Sequence, residues 1–210
     1  MDKGELERRL SSLSGFASPR VELEQYPTPA WLAAHLIHLV DLQSDLAGRL
    51  VVDLGAGTGL LALAAATRRP RAVVGVERDP DALRVARENE RALAPATPVH
   101  WVRTDATRPP LSDSSGATVL MNPPFGAQRG HEHADRAFLG AAADVAGVSY
   151  SIHNEGSRSF VESFAGDEGG DVTHAFAAKF ELDRQFPFHD RDRQIVDVEV
   201  FRIEWSATRS

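Results

Sequence analysis

The sequence contains no cysteine and only two lysines, Lys3 and Lys179, among its 23 basic residues. Without cysteine the chain has no disulfide and no thiolate to offer a metal ion. No apolar run approaches the roughly 18 residues that a membrane-spanning helix needs. No secretion signal is recognisable at the N-terminus. We therefore expect a cytoplasmic protein that does not enter a membrane.

Metal-binding motifs are also scarce in this sequence. His131 and His133 flank Glu132 and form a candidate cluster, but the polar residues around Gly130 are more typical of a surface loop. Metal-binding histidines usually need supporting hydrogen-bond partners, and the pattern supplies none. We expect no resident metal ion.

The formal net charge is −7 over 210 residues. This balance argues against a broad phosphate-binding surface, so any contact with nucleic acid is expected to be local or shared with a partner. The length suits one well-buried α/β domain. We expect a single domain over residues 1–210, in which an N-terminal helical extension, 1–45, precedes a core of residues 46–210.

A glycine-rich loop follows the first predicted strand. Arg49–Leu54 is predicted as a strand that includes Asp53, Gly55–Gly59 as the loop, and Leu60–Thr67 as a helix. Strand, glycine loop and helix make up the nucleotide-binding unit of doubly wound sheets, in which glycines let a ligand approach the backbone closely. The pattern predicts a nucleotide-type ligand, and glycine spacing alone does not exclude NAD.

The next two predicted strands lead to carboxylates. The strand Ala72–Val76 ends in Glu77, where a carboxylate can accept hydrogen bonds from both hydroxyls of a ribose. The strand Pro98–Val102 is followed by Asp105, which either accepts from the amino group of an adenine or begins a turn. Both carboxylates are expected beside the glycine loop.

The fourth predicted strand, Ala117–Met121, ends in Asn122-Pro123-Pro124-Phe125. Two prolines remove two backbone N–H donors, so nearby carbonyl oxygens stay free. The Asn122 side-chain oxygen and the Pro123 carbonyl offer two acceptors to a planar amino group, and Phe125 can stack on the ring that carries it. A plain turn with Phe125 in the core is the alternative. Strands one and four are neighbours in such sheets, so Asn122 is expected to face the glycine loop.

The N-terminal part is predicted to hold two helices. The first has leucines spaced by three and four residues along one face. The second spans Ala30–Leu42, and Thr28 is predicted to cap it, with Pro29 at the first helical position. From spacing alone, Gln25 and Tyr26 belong to an ordinary surface loop.

The rest of the chain completes an α/β pattern, with a closing antiparallel pair of strands. The remaining predicted elements are helices over Asp81–Asn89, His133–Val145 and Ser157–Phe164, and strands over Val148–Ile152, Val172–Leu182 and Gln194–Trp205.

These motifs resemble those of Rossmann-type S-adenosylmethionine methyltransferases, and the glycine loop combined with Asn122-Pro123-Pro124-Phe125 is similar to the amino-methyltransferase signature. A closer resemblance is to the methyltransferase-like protein 5 family, and it spans essentially the whole chain. Four segments that occur there in the same order are Leu23-Glu24-Gln25-Tyr26-Pro27-Thr28, Asn122-Pro123-Pro124-Phe125-Gly126, Tyr150-Ser151-Ile152-His153 and Val196-Asp197-Val198-Glu199-Val200.

The resemblance implies a doubly wound, seven-stranded Rossmann-like sheet of strand order 3-2-1-4-5-7-6. Members of the family methylate N6 of one adenine in small-subunit ribosomal RNA and work as a heterodimer with a small activator subunit. S-adenosyl-L-methionine is therefore the implied cofactor. The residues predicted to bind it are Gln25, Tyr26, Thr28, Asp53, Gly55, Gly57, Gly59, Glu77, Asp105 and Asn122. The residues predicted to act on the target base are Asn122, Pro123, Pro124 and Phe125.

The third strand of such a sheet is an edge strand. The side chains of Val99 and Trp101 in this strand are predicted to be exposed. No lysine is present there to block strand addition. We expect the activator subunit to add a strand at this edge.

Two features depart from the family pattern. Glu77 stands where members often have Asp, and the loop Phe186–Gln194 carries acidic residues where lysines are usual. The alternative functions are a protein glutamine-N5 methyltransferase, because a side-chain amide also presents an amino group, and a non-catalytic binding module with the same fold.

Overall fold

The computed structural model describes residues 1–20, 23–111, 116–124, 134–183 and 193–206, and it describes the side chains of the two C-terminal strands up to Lys179 and from Asp197 onward. Three features singled out in the sequence lie outside these residues. They are the Phe125 ring, the loop 126–132 with the candidate metal cluster that ends at His133, and the acidic loop, of which only the last two residues are within the described backbone.

Helices and strands alternate along most of the described chain. In order, the elements are α1 (Lys3–Ser11), α2 (Ala30–Leu42), β1 (Leu50–Leu54), α3 (Leu60–Ala66), β2 (Ala72–Glu77), α4 (Pro80–Leu93), β3 (Val99–Arg103), β4 (Ala117–Met121), α5 (Ala134–Val145), β5 (Ala146–Asn154), α6 (Arg158–Asp167), β6 (Gly170–Asp183) and β7 (Arg193–Trp205).

The strands form one seven-stranded sheet of order β3-β2-β1-β4-β5-β7-β6, which confirms the predicted doubly wound Rossmann-like fold. Strands β1 to β5 are parallel, and β7 runs antiparallel to both β5 and β6. Leu54 at the end of β1 pairs with Met121 at the end of β4. Because the loops after these two strands leave the sheet side by side, the glycine loop and Asn122 lie at the same edge, as predicted.

Both faces of the sheet are covered, which explains why its central strands are almost continuously apolar. One core cluster joins the sheet to α1, α2 and α3, and the other joins it to α5 and α6. Leu6 and Leu10 of α1 are buried in the first cluster together with Val51 of β1. The N-terminal helices therefore share a core with the sheet, and a boundary near residue 45 stays a prediction.

The predicted N-cap at Thr28 is wrong. The residue at the N-cap position of α2 is Pro29, and no side chain caps this helix. The Thr28 hydroxyl instead accepts a hydrogen bond from Nδ2 of Asn122 at 3.0 Å. The Thr28 hydroxyl, which the local pattern assigned to the start of α2, thus binds a residue far away in the sequence.

The β3 strand is an edge, as predicted, but its apolar side chains are packed rather than exposed. Val99 is only 7 % exposed, and its N–H donates to the carboxylate of Glu90 in α4 at 2.8 Å. Trp101 donates from Nε1 to the same carboxylate at 2.7 Å. Its ring fills the space beside Gly75, where an added Cβ would lie 2.4 Å from the ring. The Trp101 ring can pack there because Gly75 has no side chain.

A buried polar network ties the end of the N-terminal helices to the last strands. Asp45 is almost fully buried and accepts from the Tyr150 hydroxyl of β5 at 2.7 Å. It also accepts from Nε and Nη2 of Arg202 in β7, both at 3.0 Å. The charge on Asp45 is thereby paired inside the core by a residue 157 positions away.

None of the helices within the described residues is long and apolar enough to cross a membrane.

Candidate active site

A cavity of about 370 Å³ lies at the carboxyl edge of the sheet, and a smaller one of about 40 Å³ adjoins it. Ligands of doubly wound folds bind at this edge, outside the carboxyl ends of the strands. The predicted site residues that line the larger cavity are Gln25, Tyr26, Gly55, Gly57, Glu77, Asp105, Asn122 and Pro124. Thr28 and Asp53 line the smaller one.

Two glycines of the loop are required by both conformation and space. Gly55 and Gly57 have φ of +73° and +54°, which side chains rarely adopt. A Cβ added to Gly55 would lie 3.0 Å from the Phe138 ring, and one added to Gly57 would lie 2.9 Å from the Phe16 ring. The loop therefore presents bare backbone to the cavity.

Gly59 and Pro123 are placed differently from the other predicted site residues. Neither occurs among the described residues that line the two cavities. Gly59 is the N-cap of α3 with φ +90°, and an added Cβ would lie 2.6 Å from Trp101. Pro123 is buried between Asn122 and Pro124. The structure thus gives Gly59 a packing role.

Glu77 connects the glycine loop to the end of β2. Its Oε2 accepts from the N–H of Gly57 and its Oε1 from the N–H of Asp79, both at 2.8 Å. A carboxylate has about four lone-pair sites, so acceptor capacity remains for two hydroxyl groups. The extra methylene relative to Asp lets this side chain span both backbone segments.

Asp53 lies beneath the first turn of α3. It is almost completely buried and accepts from the N–H of Ala62 at 2.8 Å. Burial raises the pKa of Asp53 to about 7, and the negative charge of Glu77 acts in the same direction. A carboxyl group that titrates near neutrality therefore lines the smaller cavity.

Asp105 takes one of the two roles considered for it, and the contact with adenine stays a prediction. Its Oδ1 accepts from the N–H of Thr107 at 2.9 Å and from the hydroxyl of Thr107 at 2.8 Å, so it does begin a turn. The backbone hydrogen bond from Thr107 is the main cause that lowers the pKa of Asp105. The same residue lines the larger cavity, so a charged carboxylate faces it.

Gln25 does not lie in an ordinary surface loop. Its side chain is buried, its Nε2 donates to Asp79 at 2.6 Å, and its Oε1 accepts from the N–H of Arg20 at 2.8 Å. Tyr26 beside it is partly buried, and both residues line the larger cavity. The interpretation from spacing failed because Asp79, one of the two partners of Gln25, lies 54 positions away.

Asn122 stands at the meeting point of the two cavities. Its Nδ2 donates to the Thr28 hydroxyl, and its Oδ1 is buried without a hydrogen-bond partner among the described residues. Leaving a buried acceptor unpaired costs about 1–3 kcal/mol. Within the part of the chain that the structure describes, this oxygen is therefore an acceptor whose capacity is unused.

Several lining residues carried no recognisable signal in the sequence. Phe16 is an isolated aromatic residue in a polar segment, and Phe138 reads as one apolar position of a helix. The further lining residues not predicted are Leu23, Glu24, Arg78, Ala106, Thr107 and Ala134.

The residues present fit S-adenosyl-L-methionine. Bare backbone at Gly55 and Gly57 admits a ligand closely, and carboxylates of Glu77 and Asp105 face the larger cavity where ribose and adenine hydrogen-bond donors need acceptors. Asp53 in the smaller cavity suits an ammonium group. Asn122, whose Oδ1 has no hydrogen-bond partner among the described residues, belongs to the lining of both cavities.

Comparisons with known proteins define the class. The family model of the methyltransferase small domain matches residues 33–147. The crystal structure of PH1948 from Pyrococcus horikoshii superposes with a TM-score of 0.87 at 38 % sequence identity and covers 98 % of both chains. The fold and the site are therefore those of a Rossmann-like methyltransferase whose methyl donor is S-adenosyl-L-methionine.

The sequence relatives narrow this class to one family. The rRNA N(6)-adenosine-methyltransferase Mettl5 of Drosophila melanogaster is 34 % identical over 95 % of this chain and 94 % of its own length. The chain belongs to the methyltransferase-like protein 5 family, as its sequence motifs predicted. The release factor glutamine methyltransferase of Escherichia coli is 37 % identical, but over only 56 % of this chain and 40 % of its own length.

Proposed function

We propose that this protein methylates N6 of an adenine in small-subunit ribosomal RNA. The observation that carries the proposal is the buried, unpartnered Oδ1 of Asn122 beside the donor cavity. Similarity to the Drosophila rRNA N(6)-adenosine-methyltransferase over almost the whole chain supports the substrate class, whereas similarity to the release factor enzyme covers little more than half of the chain.

Bound S-adenosyl-L-methionine supplies a methyl group on a positively charged sulfur. Asn122 Oδ1 and the Pro123 carbonyl would hold both N–H bonds of the target amine, whose lone pair is otherwise delocalised into the adenine ring. Thr28 fixes the orientation of the Asn122 amide, because its hydroxyl accepts from Nδ2 and leaves the oxygen for the substrate. The chain thus acts by orientation and charge stabilisation rather than by a strong base.

The proposal assigns the predicted residues to two groups. The target base is held by Asn122, Pro123, Pro124 and Phe125, of which Phe125 lies outside the described residues and is assigned the stacking role. The donor is bound by Gln25, Tyr26, Thr28, Asp53, Gly55, Gly57, Glu77, Asp105 and Asn122, and Gly59 supports the loop from behind. An adenine inside a duplex cannot reach this site, so the target is unpaired or is flipped out at a cost of a few kcal/mol.

The substrate is tested with isotopically labelled donor. We would offer small-subunit rRNA, large-subunit rRNA and a release factor in separate reactions, digest the products and separate the labelled nucleosides and amino acids. We expect label in N6-methyladenosine from the small-subunit rRNA alone. Label in methylglutamine of the release factor would establish the alternative enzyme, and donor binding without transfer to any of the three would favour the binding module.

We also propose a heterodimer with a small activator subunit at the β3 edge. The N–H of Thr104 donates to the carbonyl of Glu77 in β2 at 3.2 Å, whereas the N–H of Val99 donates to Glu90 of α4. Since main-chain groups alternate along a strand, those of Trp101 and Arg103 turn away from β2. The edge available for strand addition is therefore the second half of β3.

The edge is tested by co-expression with a candidate activator, followed by size-exclusion chromatography of wild type, Arg103→Pro and Arg103→Ala. Proline removes one outward N–H, while alanine keeps it, so only the proline variant is expected to lose the heterodimer. Wild-type protein that elutes as a monomer in the presence of the activator, with full activity on rRNA, would contradict the proposal. A cytoplasmic location is part of the same proposal and is tested by cell fractionation.

A further inference from the structure

A strap made of residues 13–20 and 23–26 connects α1 to the segment before α2 and contributes to the wall of the donor cavity. It has no helix or strand of its own beyond a single short turn. Two buried side chains outside the strap, those of Asn89 and Asp79, nevertheless hold it at both ends.

Asn89 of α4 holds the first end of the strap. Its side chain is only 2 % exposed. Its Oδ1 accepts from the N–H of Ser14 at 2.8 Å, and its Nδ2 donates to the carbonyl of Ser14 at 2.9 Å and to the carbonyl of Thr58 at 3.0 Å. Both amide hydrogens and the oxygen are thus in use. One side chain joins the strap to the glycine loop.

Gln25 holds the second end through Asp79, whose N–H is bound by Glu77. Arg20 lies 3.2 Å from Asp81 and adds an exposed ion pair at the same place. Both anchors therefore end on segments that also shape the donor cavity, namely the glycine loop and the end of β2.

Phe16 lies between the two anchors, two residues after Ser14. Its ring packs on Gly57 and lines both cavities. The residues shared by the two linings are Phe16, Tyr26, Gly55, Gly57 and Asn122. A donor whose adenosine occupies the larger cavity and whose amino-acid part occupies the smaller one has its sulfur at this shared position.

We propose that Phe16 is a donor-binding residue that recognises the sulfonium, and that Asn89 is a positioning residue that holds it there. An aromatic face attracts a cation, most strongly where water is excluded. The product of transfer, S-adenosylhomocysteine, carries a neutral thioether at the same point. Phe16 thus favours the charged donor over the spent one, which aids product release. The inference depends on the donor and not on the identity of the RNA.

The test is calorimetric titration of Phe16→Leu and Phe16→Tyr with S-adenosylmethionine and, separately, with S-adenosylhomocysteine. Leucine keeps an apolar contact but removes the ring, so we expect the Kd for the donor to rise about 3- to 30-fold while that for the product changes much less. Tyrosine retains a ring and should keep the wild-type ratio of the two constants. Equal weakening of both ligands by leucine, or no change in either, would overturn the proposal.

The positioning role of Asn89 is tested with Asn89→Asp, which preserves size but removes both donated hydrogen bonds. We expect the ratio of the two Kd values to shift as in Phe16→Leu, with no further shift in the double variant, because both changes act through the same ring. Leu93→Val, a buried change on the same helix away from the cavities, controls for lost stability. Independent, additive shifts would refute the coupling. If the Asn89 variant fails to fold, the comparison of Phe16→Leu with Phe16→Tyr decides the proposal.

Discussion

The two halves of the sheet treat their buried polar groups differently. In the half formed by β1, β2 and β3, the carboxylates of Glu77 and Asp79 and the amide of Asn89 bind backbone groups or other side chains. In the half formed by β4 and β5, the Tyr150 hydroxyl and Ser149 Oγ have partners, but three buried atoms have none within the described structure: Asn122 Oδ1, Ser151 Oγ and His153 Nε2.

The difference reflects what each half has to do. A donor cavity that is held open by internal hydrogen bonds loses little conformational entropy when its ligand binds. A substrate-binding half needs hydrogen-bonding groups that are still available, and such groups lower the stability of the free protein. We therefore expect the first half to offer the donor a preformed site and Asn122 in the second half to keep an acceptor for the substrate.

The strongest test of the donor half is Gly57→Val. The new side chain would overlap Phe16, and its backbone would be strained at φ +54°, so we expect donor binding to be lost altogether. Isothermal titration measures this. Gly48→Val is the matched control, since Gly48 has φ +72° with nothing within 4 Å of an added Cβ. If the Gly57 variant folds and binds donor with unchanged affinity, the donor assignment is wrong.

In the other half, Asn122→Ala should separate binding from chemistry. We expect the rate of methyl transfer to fall about 10²–10³-fold, as for loss of other single preorganised groups, while donor affinity barely changes. Single-turnover rates and calorimetry measure the two quantities. Asn154→Ala, the same change at the exposed end of β5, should leave both intact. Near wild-type transfer by the Asn122 variant would remove the amine-binding role.

The acid groups of the donor half predict a pH effect at Asp53. Because burial raises its pKa from near 3.8 to about 7, Asp53 favours the folded state when protonated, and this stabilisation is lost as pH rises from about 4 through 7. We expect Asp53→Asn to flatten this part of the profile of unfolding free energy, measured by denaturant titration without donor. An unchanged slope would mean that Asp53 is charged in the fold.

The other half predicts a smaller effect of opposite sign at His153. Burial lowers the pKa of His153 from 6.5 to about 4, so its neutral form favours folding above pH 6.5 and this stabilisation is lost as pH falls through 4. Each pKa unit corresponds to about 1.4 kcal/mol. We expect the unfolding free energy of His153→Gln to fall less steeply between pH 6.5 and 4 than that of the wild type, as followed by circular dichroism. An equally steep acid transition would place the titrating group elsewhere.

The sequence predicted those parts of the fold and site that depend on local patterns. The glycine loop after β1 and the Asn-Pro-Pro motif after β4 are contiguous, and strand adjacency follows from the rules of doubly wound sheets. Glu77 and Asp105 were found for the same reason, since each follows a strand. Glu77 and Asp105 line the larger cavity, together with Gly55 and Gly57 of the loop and Asn122 and Pro124 of the motif.

What the sequence failed to predict depends on partners far apart in the chain. Thr28 was given to its own helix because its bond to Asn122 spans 94 positions. Val99 was expected to be available at the edge because nothing local reveals that Glu90 binds its N–H. Phe16 was missed because a single aromatic residue in a polar segment has no periodicity to indicate which surface it contacts.

The ion pair between Asp45 and Arg202 also has a consequence for the order in which the chain folds. During synthesis β6 leaves the ribosome before β7, yet β7 lies between β5 and β6 in the sheet. Until β7 emerges, β6 has no neighbouring strand, and Asp45 has the half-exposed Arg49 as an ion-pair partner but not the buried Arg202. Contacts of such sequence separation slow folding. The core is therefore completed only once β7 has been translated, and until then the unpaired edge of β6 favours aggregation.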